Sequence, residues 1–327
     1  MTYQITEESF EQLRPAWEAL LPQGNFQTVF LTPTWHHVWW REHGGGSELH
    51  LKAVRDGETL VGIAPLMSTG GGTLLFLGDT DLWDYHDFIV TQGKEADFYP
   101  ALLDHLDSQP WDLLDLRSIP AHSPTMAHLP PLAEARGYTV ETVEEDVSPG
   151  IALPNTWDDY LMSLGKKDRH ELRRKFRRLD DRADYRSYSV DDPSSMDSAL
   201  DDFFELMRNS HQDKAIFLSP ERERFFRVMT KEIASIGALK LFFMEVSGKR
   251  VAGALCFDYG NARLLYNSGY DPDYSSLSIG LLLKALCLKE AIEEGRAYFD
   301  FLRGMEPYKY HFGASDVRLY HLTVRRT

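Results

Sequence analysis

Apolar positions along this chain follow two spacings. Where they recur every third or fourth residue they predict amphipathic helix; where they alternate or run together briefly they predict strand. A helical spacing covers residues 6–20, with Phe10, Leu13 and Trp17 on one face. Pro33 opens a second helix carrying Trp35, Trp39 and Trp40. Strands are predicted near 48–55, 59–67, 73–77 and 86–90, then a helix near 95–107 and a strand at 112–118. Asn155 or Thr156 caps the next helix at 156–164, and helices follow at 167–181, 195–212 and 219–236. Three strands at 239–246, 250–258 and 263–269 lead into a helix over 278–294, and a last strand is predicted at 316–324. Strands alternating with helices, with hairpins between neighbours, predict an α/β (α+β) fold of mixed sheets flanked by helices.

Part of this pattern occurs twice. Asp56-Gly57 and Ser247-Gly248 each turn the chain into a strand, a Gly-containing hairpin and a second strand that ends in Gly78 or Gly269. Later, Leu114-Asp115-Leu116-Arg117 is echoed by Phe299-Asp300-Phe301-Leu302-Arg303. Gly62 precedes Asp115 by 53 residues and Gly253 precedes Asp300 by 47. A hairpin alone repeats by chance. A hairpin followed in order by an Asp–Arg strand predicts a tandem duplication, divided here into residues 1–153 and 154–327.

The 327 residues suffice for two cores, and 43% hydrophobic content with 12% aromatics is that of a globular protein. A net charge of −15 opposes DNA binding by the chain as a whole. Two cysteines in apolar settings, Cys256 and Cys287, predict buried thiols in a reducing compartment. No apolar run is long enough to span a membrane, and the polar, acidic start lacks a signal-peptide core, so a cytoplasmic location is expected. Adjacent His36 and His37 point apart on a helix, and neither HExxH nor CxxC occurs, so no metal site is predicted. The absence of GxSxG, GxGxxG and GxxxxGK[ST] argues against a serine hydrolase, a dinucleotide site and a P-loop.

The richest stretch is 251–313. Its second strand ends in Tyr266, Asn267, Ser268, Gly269 and Tyr270, polar groups at a strand end just before a helix start at Ser278, Ile279 and Gly280. Free N–H groups at such a start suit a phosphate or carboxylate, and Ser276 or Ser278 is a natural cap. The plain alternative is a capped helix on a sheet with Leu281, Leu282 and Leu283 in its core. Tyr266 and Tyr270 can protonate a leaving thiolate, or serve as core aromatics. Asp300 can accept a proton from an attacking ammonium, or pair with Arg303. Glu306 and Lys309 follow, Lys309 as a point charge for an anion. Upstream, eight of the thirteen residues 166–178 are Lys or Arg, with Leu172 and Phe176 as the apolar stripe. Such a run is a solvated face or an anion-binding wall, through Arg169 and Arg173, for the phosphates of a donor, a lipid-linked sugar or RNA. Asp84 and Tyr85, between aromatic neighbours, are candidate acceptor contacts or a simple hairpin closure.

Together these pieces resemble a family. Phe30-Leu31-Thr32-Pro33-Thr34-Trp35, Lys166-Lys167-Asp168-Arg169-His170, the passage from Leu265 to Gly280 and the ending from Asp300 to Gly313 resemble tandem GNAT proteins. The likeness is to the CelD-type acetyltransferase-like proteins of cellulose and exopolysaccharide synthesis, and more distantly to Fem-type aminoacyltransferases. It implies a GNAT-like fold in each half and acyl transfer from acyl-CoA, as a co-substrate, to an amine on a small-molecule, saccharide or peptide precursor. In that reading Asp300 is the base, and Tyr270, with Tyr266, serves proton donation. Ser268, Gly269, Ser278, Ile279 and Gly280 hold the donor, and Arg169, Arg173, Arg303, Glu306, Lys309, Asp84 and Tyr85 hold the acceptor or donor phosphates. The chain departs from the acyl-CoA loop pattern Q/R-x-x-G-x-G/A, of which only Gly280 matches. The Lys309-x-x-Phe312-Gly313 ending resembles the Fem type, which implies aminoacyl-tRNA as an alternative donor, but no long helical arm is evident. A third reading is a non-catalytic binding module. Gly70-Gly71-Gly72 and the lack of a clear helix start after Gly78 imply a degenerate donor site in the first half.

Overall fold

The computed structural model describes residues 3–326. Two compact units divide the chain: residues up to Val147 together with the stretch from Val317, and Ser148–Asp316. The C-terminal strand therefore packs with the first unit, whereas the repeat pattern assigned it to the second.

The first unit opens with strand β1 (Gln4–Glu7) and helix α1 (Phe10–Leu20). The helix starts four residues later than its periodicity suggested, because a capping box between Ser9 and Gln12 fixes its first turn. Phe10, Leu13 and Trp17 are buried as the spacing requires. Helix α2 (Pro33–His43) is capped by Thr32, whose hydroxyl accepts the Trp35 N–H. A meander of β2 (Glu48–Asp56), β3 (Thr59–Ser68) and β4 (Thr73–Phe76) follows. The short β5 (Ile89–Val90), α3 (Glu95–Asp107), β6 (Leu113–Pro120), α4 (Pro124–Ala135) and β7 (Thr139–Ala152) complete this part. Neither α4 nor β7 shows in the pattern. Pro130 and Pro131 lie inside α4, and most of the first half of β7 is exposed and polar, so no alternation marks it.

The second unit contains α5 (Trp157–Ser163), α6 (Lys166–Arg182), β8 (Tyr185–Val190), α7 (Met196–Ser210), α8 (Gln212–Phe217) and α9 (Pro220–Ser235). The helix expected over 195–212 breaks at His211, which is extended and caps α8 through its ring. Strands β9 (Leu239–Val246), β10 (Lys249–Tyr259) and β11 (Ala262–Tyr270) lead to α10 (Ile279–Glu293), β12 (Tyr298–Asp300), α11 (Pro307–His311) and β13 (Ser315–Arg325).

The two sheets share one plan. In the first, β1, β2, β3 and β4 pair antiparallel in order, and β4 then pairs parallel with β6. In the second, β8, β9, β10 and β11 pair antiparallel, and β11 pairs parallel with β12. Each parallel strand takes one further antiparallel neighbour: β13 beside β6, and Gly150–Ala152 of β7 beside β12. The strand that closes each sheet thus comes from the end of the other repeat. Register aligns the repeats residue by residue: Thr73, Leu74 and Leu75 stand opposite Leu113, Leu114 and Asp115, as Ala262, Arg263 and Leu264 stand opposite Tyr298, Phe299 and Asp300. Each unit has its own core, one around Phe98, Leu102 and Trp111, the other around Leu282, Leu283 and Phe299.

Candidate functional site

Beyond Leu264 the second unit's sheet opens. β11 pairs with β12 over three residues only, then runs on to Tyr270, so its edge from Leu265 onward has no strand beside it on that side among the described residues. The chain turns through Pro272–Leu277 and enters α10, whose first turn carries no acidic side chain. The first N–H groups of a helix have no partner within it. Here they lie at Ile279 and Gly280.

Ser278 occupies the N-cap position in left-handed conformation (φ 58°), and its side chain makes no cap bond. Its Oγ instead accepts hydrogen bonds from Arg178 Nη2 at 2.9 Å and Lys175 Nζ at 3.4 Å. Two cations of the basic helix α6 are thereby held at the start of α10. The amphipathic register of α6 explains the choice. Leu172 and Leu179 are buried, and Lys175 and Arg178 flank that stripe, while Arg173, Arg174 and Arg177 face solvent. An open groove of about 690 Å³ follows α6 past Lys166, Lys167 and Arg174 to Leu281, His311 and Phe312. Arg173 lines a second groove, of about 530 Å³, with Trp157, Phe176 and Leu286.

Other residues singled out from the sequence lie apart from this point or have structural partners. Gly280 is a close-packing position: a Cβ there would lie 2.9 Å from the Tyr270 ring. Tyr270 rests on it with a hydroxyl that makes no hydrogen bond among the described residues. Gly269 faces α7, where a Cβ would come within 2.4 Å of the Met207 nitrogen, so helix packing rather than a ligand occupies that side. The Tyr266 ring packs against Phe226 and Phe257. The Ser268 carbonyl accepts a hydrogen bond from Lys214 of α8. Arg169 caps the end of α5 through the carbonyls of Met162 and Leu164.

Asp300, expected as a base, holds the fold. Its Oδ1 accepts the Ser148 hydroxyl at 3.2 Å and the Leu302 N–H at 2.8 Å, and Leu302 has a positive φ of 58°. Its counterpart Asp115 likewise reaches its sheet's closing strand, through His321 at 2.5 Å. Lys309, expected as a free charge, is 1% exposed. Its Nζ donates to the carbonyls of Leu302, Arg303 and Gly304 at 2.7, 2.7 and 3.0 Å and pairs with Glu306 at 2.9 Å. The ammonium thus ties down the loop that contains Arg303. Asp84 and Tyr85 lie in the first unit, where Tyr85 is buried against Phe26 and Phe30.

The pattern of α6 could have singled out Lys175 and Arg178, since they flank its apolar stripe. Lys284 carries a similar signal, as the one charged residue in Ile279–Leu288. It proves to stand on the side of α10 toward Tyr308, with its Nζ 5.0 Å from that ring.

Residues 166–310, from the first residue of α6 into α11, match the family model of the acetyltransferase (GNAT) domain. That stretch is an acyltransferase domain of the GNAT type. No curated protein matches the chain in sequence. Among solved structures, FemX superposes with a TM-score of 0.66 at 12% identity, covering 97% of this chain and 96% of its own. L-PGS from Bacillus licheniformis gives 0.59 at 13%, covering 98% and 94%. A tandem GNAT protein of the clavulanic acid pathway gives 0.51 at 13%, covering 98% of both chains. At these identities the likeness is one of fold. Among the described residues no helix is long and apolar enough to cross a membrane.

Proposed function

We propose that this acyltransferase moves an acyl group from acyl-CoA to the amine of an envelope or polysaccharide precursor, using the second unit. The observation that carries this reading is the meeting of Lys175 and Arg178 at Ser278, beside the open edge of β11. Two cations and a helix start free of acidic side chains favour a pyrophosphate. From there a pantetheine arm reaches along the unpaired edge of β11, so that the thioester carbonyl lies near its backbone after Tyr266. Transfer then depends mainly on holding amine and thioester in contact. The amine nitrogen forms the new bond to the acyl carbon and gives up one proton to water, the carbon–sulfur bond breaks, and the thiolate leaves. The unbonded Tyr270 hydroxyl is our candidate to protonate it.

Calorimetric titration with CoA tests the donor. Wild-type protein should bind saturably. Ser278→Asp, which puts a negative charge at the helix start, should weaken binding by about 100-fold, as should loss of both Lys175 and Arg178. No binding by the wild type at millimolar CoA would sink the donor assignment.

A second reading takes aminoacyl-tRNA as donor. The exposed cations along α6 favour it, and the fold shared with FemX is compatible with it. It predicts RNA binding that falls steeply with salt, by one unit of log–log slope for about each phosphate neutralised, and no saturable binding of CoA.

A further inference from the structure

We infer that Lys214 and Lys284 form a seat for an anionic group, a carboxylate or a phosphate, carried by the amine acceptor. The inference rests on reading the open edge of β11 as the transfer site and names the substrate class for it. Lys214 reaches from α8 to the Ser268 carbonyl on β11. Lys284 reaches from α10 to the Gly280 carbonyl at 3.2 Å. The two carbonyls lie on neighbouring elements: Ser268 is two residues before Tyr270 on β11, and the Tyr270 ring lies on Gly280 of α10.

Among the described residues neither lysine makes an ion pair; each donates only to a backbone carbonyl. Both are substantially withdrawn from water. Burial lowers Lys214 to about 8, against a partial offset from Glu306. Burial, then the repulsion of Lys214, lowers Lys284 to about 8. The carboxylate within electrostatic reach, Glu306, is committed to Lys309 at 2.9 Å. Elsewhere the fold matches its desolvated cations with care: the fully buried Arg263 has two hydrogen bonds to Asp258 and one to Glu294. Two desolvated ammoniums without an ion-pair partner among the described residues are a cost that an anion lying between them would remove.

The pair has other partners than the cations assigned to the donor. Lys175 and Arg178 donate to the Ser278 side chain, while Lys284 donates to the Gly280 carbonyl and faces Tyr308. An acceptor anchored by its anion brings its amine to the edge of β11. The same positive field favours the neutral, nucleophilic form of that amine over its ammonium.

The test is a calorimetric titration of the full chain with sodium acetate and with inorganic phosphate at fixed ionic strength, with and without CoA. Wild-type protein should bind at least one of these anions saturably, whether or not CoA is present. In Lys214→Met/Lys284→Met the anion affinity should fall tenfold or more, with CoA affinity unchanged. Acetate above phosphate indicates a carboxylate acceptor, and the reverse a phosphate-bearing one. An anion affinity unchanged by the double substitution overturns the inference, as does wild-type protein that binds neither anion. Joint loss of CoA and anion binding in a folded variant also overturns it, because the pair would then belong to the donor site. Should the double variant not fold, Lys284→Met alone replaces it under the same criteria. Wild-type protein that binds an anion but not CoA rejects the donor reading and leaves the seat standing.

Discussion

The two units begin from one plan and diverge at the same place, the passage from the third meander strand to the helix that follows. In the first unit β4 stops at Phe76, one residue past its last partner on β6. The chain then folds back through Trp83, Tyr85 and Phe88, all buried, and fills the space beside the strand with rings. Helix α3 starts with Glu95 and Asp97 in its first turn, so its own carboxylates meet the helix dipole. In the second unit β11 runs six residues past Leu264, its last residue paired with β12, and α10 starts without acidic residues under Lys175 and Arg178. The framework is common to both. What separates them is whether the strand edge is filled and which charge meets the helix start. The first unit has buried rings and an acidic helix start where the second has an open strand edge and two cations.

A second contrast lies at matched register. Leu74 is apolar where the second unit has Arg263. Arg263 is 0% exposed and binds Asp258, Glu294 and the Cys287 carbonyl. If the second unit depends on this ion cluster, Arg263→Met should cost about 3 kcal/mol, since buried Asp258 then keeps only Arg296, at 3.1 Å, as its cation. Urea unfolding measures it. A loss below about 1 kcal/mol would show that the two positions are equivalent after all.

The first unit holds its own ionisable groups in structural roles, which gives a pH signature. Burial lowers His36 from 6.5 to about 4, partly offset by its hydrogen bond to the Thr32 carbonyl at 2.9 Å. The folded chain disfavours the charged ring, so its contribution is full above 6.5 and is lost as pH falls from 6.5 toward 4. The whole swing is about 3 kcal/mol. Asp87, raised by burial to about 6, acts oppositely, gaining stability as pH falls from 6 toward 3.8. The His36 term is therefore read as a difference: His36→Gln should flatten the fall in unfolding midpoint relative to wild type. Parallel curves for the two proteins would place the acid sensitivity elsewhere.

The smallest effect tests the likeness rather than the contrast. Asp300 and Asp115 hold the closing strands of their respective sheets. Asp300→Asn and Asp115→Asn should each cost about 1 kcal/mol of stability. Neither should alter CoA affinity. If Asp300→Asn leaves stability unchanged yet slows acetyl-CoA turnover by 100-fold or more, Asp300 is a base and the structural reading fails.

Much of this was legible in the chain. The helix at 95–107, the meander strands and the start of α10 follow from periodicity and punctuation, which are local. The duplication was legible because register preserves spacing. Lys309 shows the limit: flanked by aromatics it has the pattern of an exposed anion-binding charge, and the structure folds it inward onto three carbonyls. A side chain's partners depend on residues that its own neighbourhood does not name.

The sequence by itself determined the alternation of strands and helices, the two copies and the isolated basic helix, because side-chain pattern and backbone preference are read within a few residues. Only the tertiary structure decided that each sheet closes with the last strand of the other repeat, that Lys175 and Arg178 rather than Arg169 and Arg173 meet Ser278, and that Lys214 and Lys284 stand without an ion-pair partner among the described residues. Those outcomes turn on contacts between residues 54 to 212 positions apart: spacing marks Lys175, Arg178 and Lys284 on their own helices but does not name what they meet.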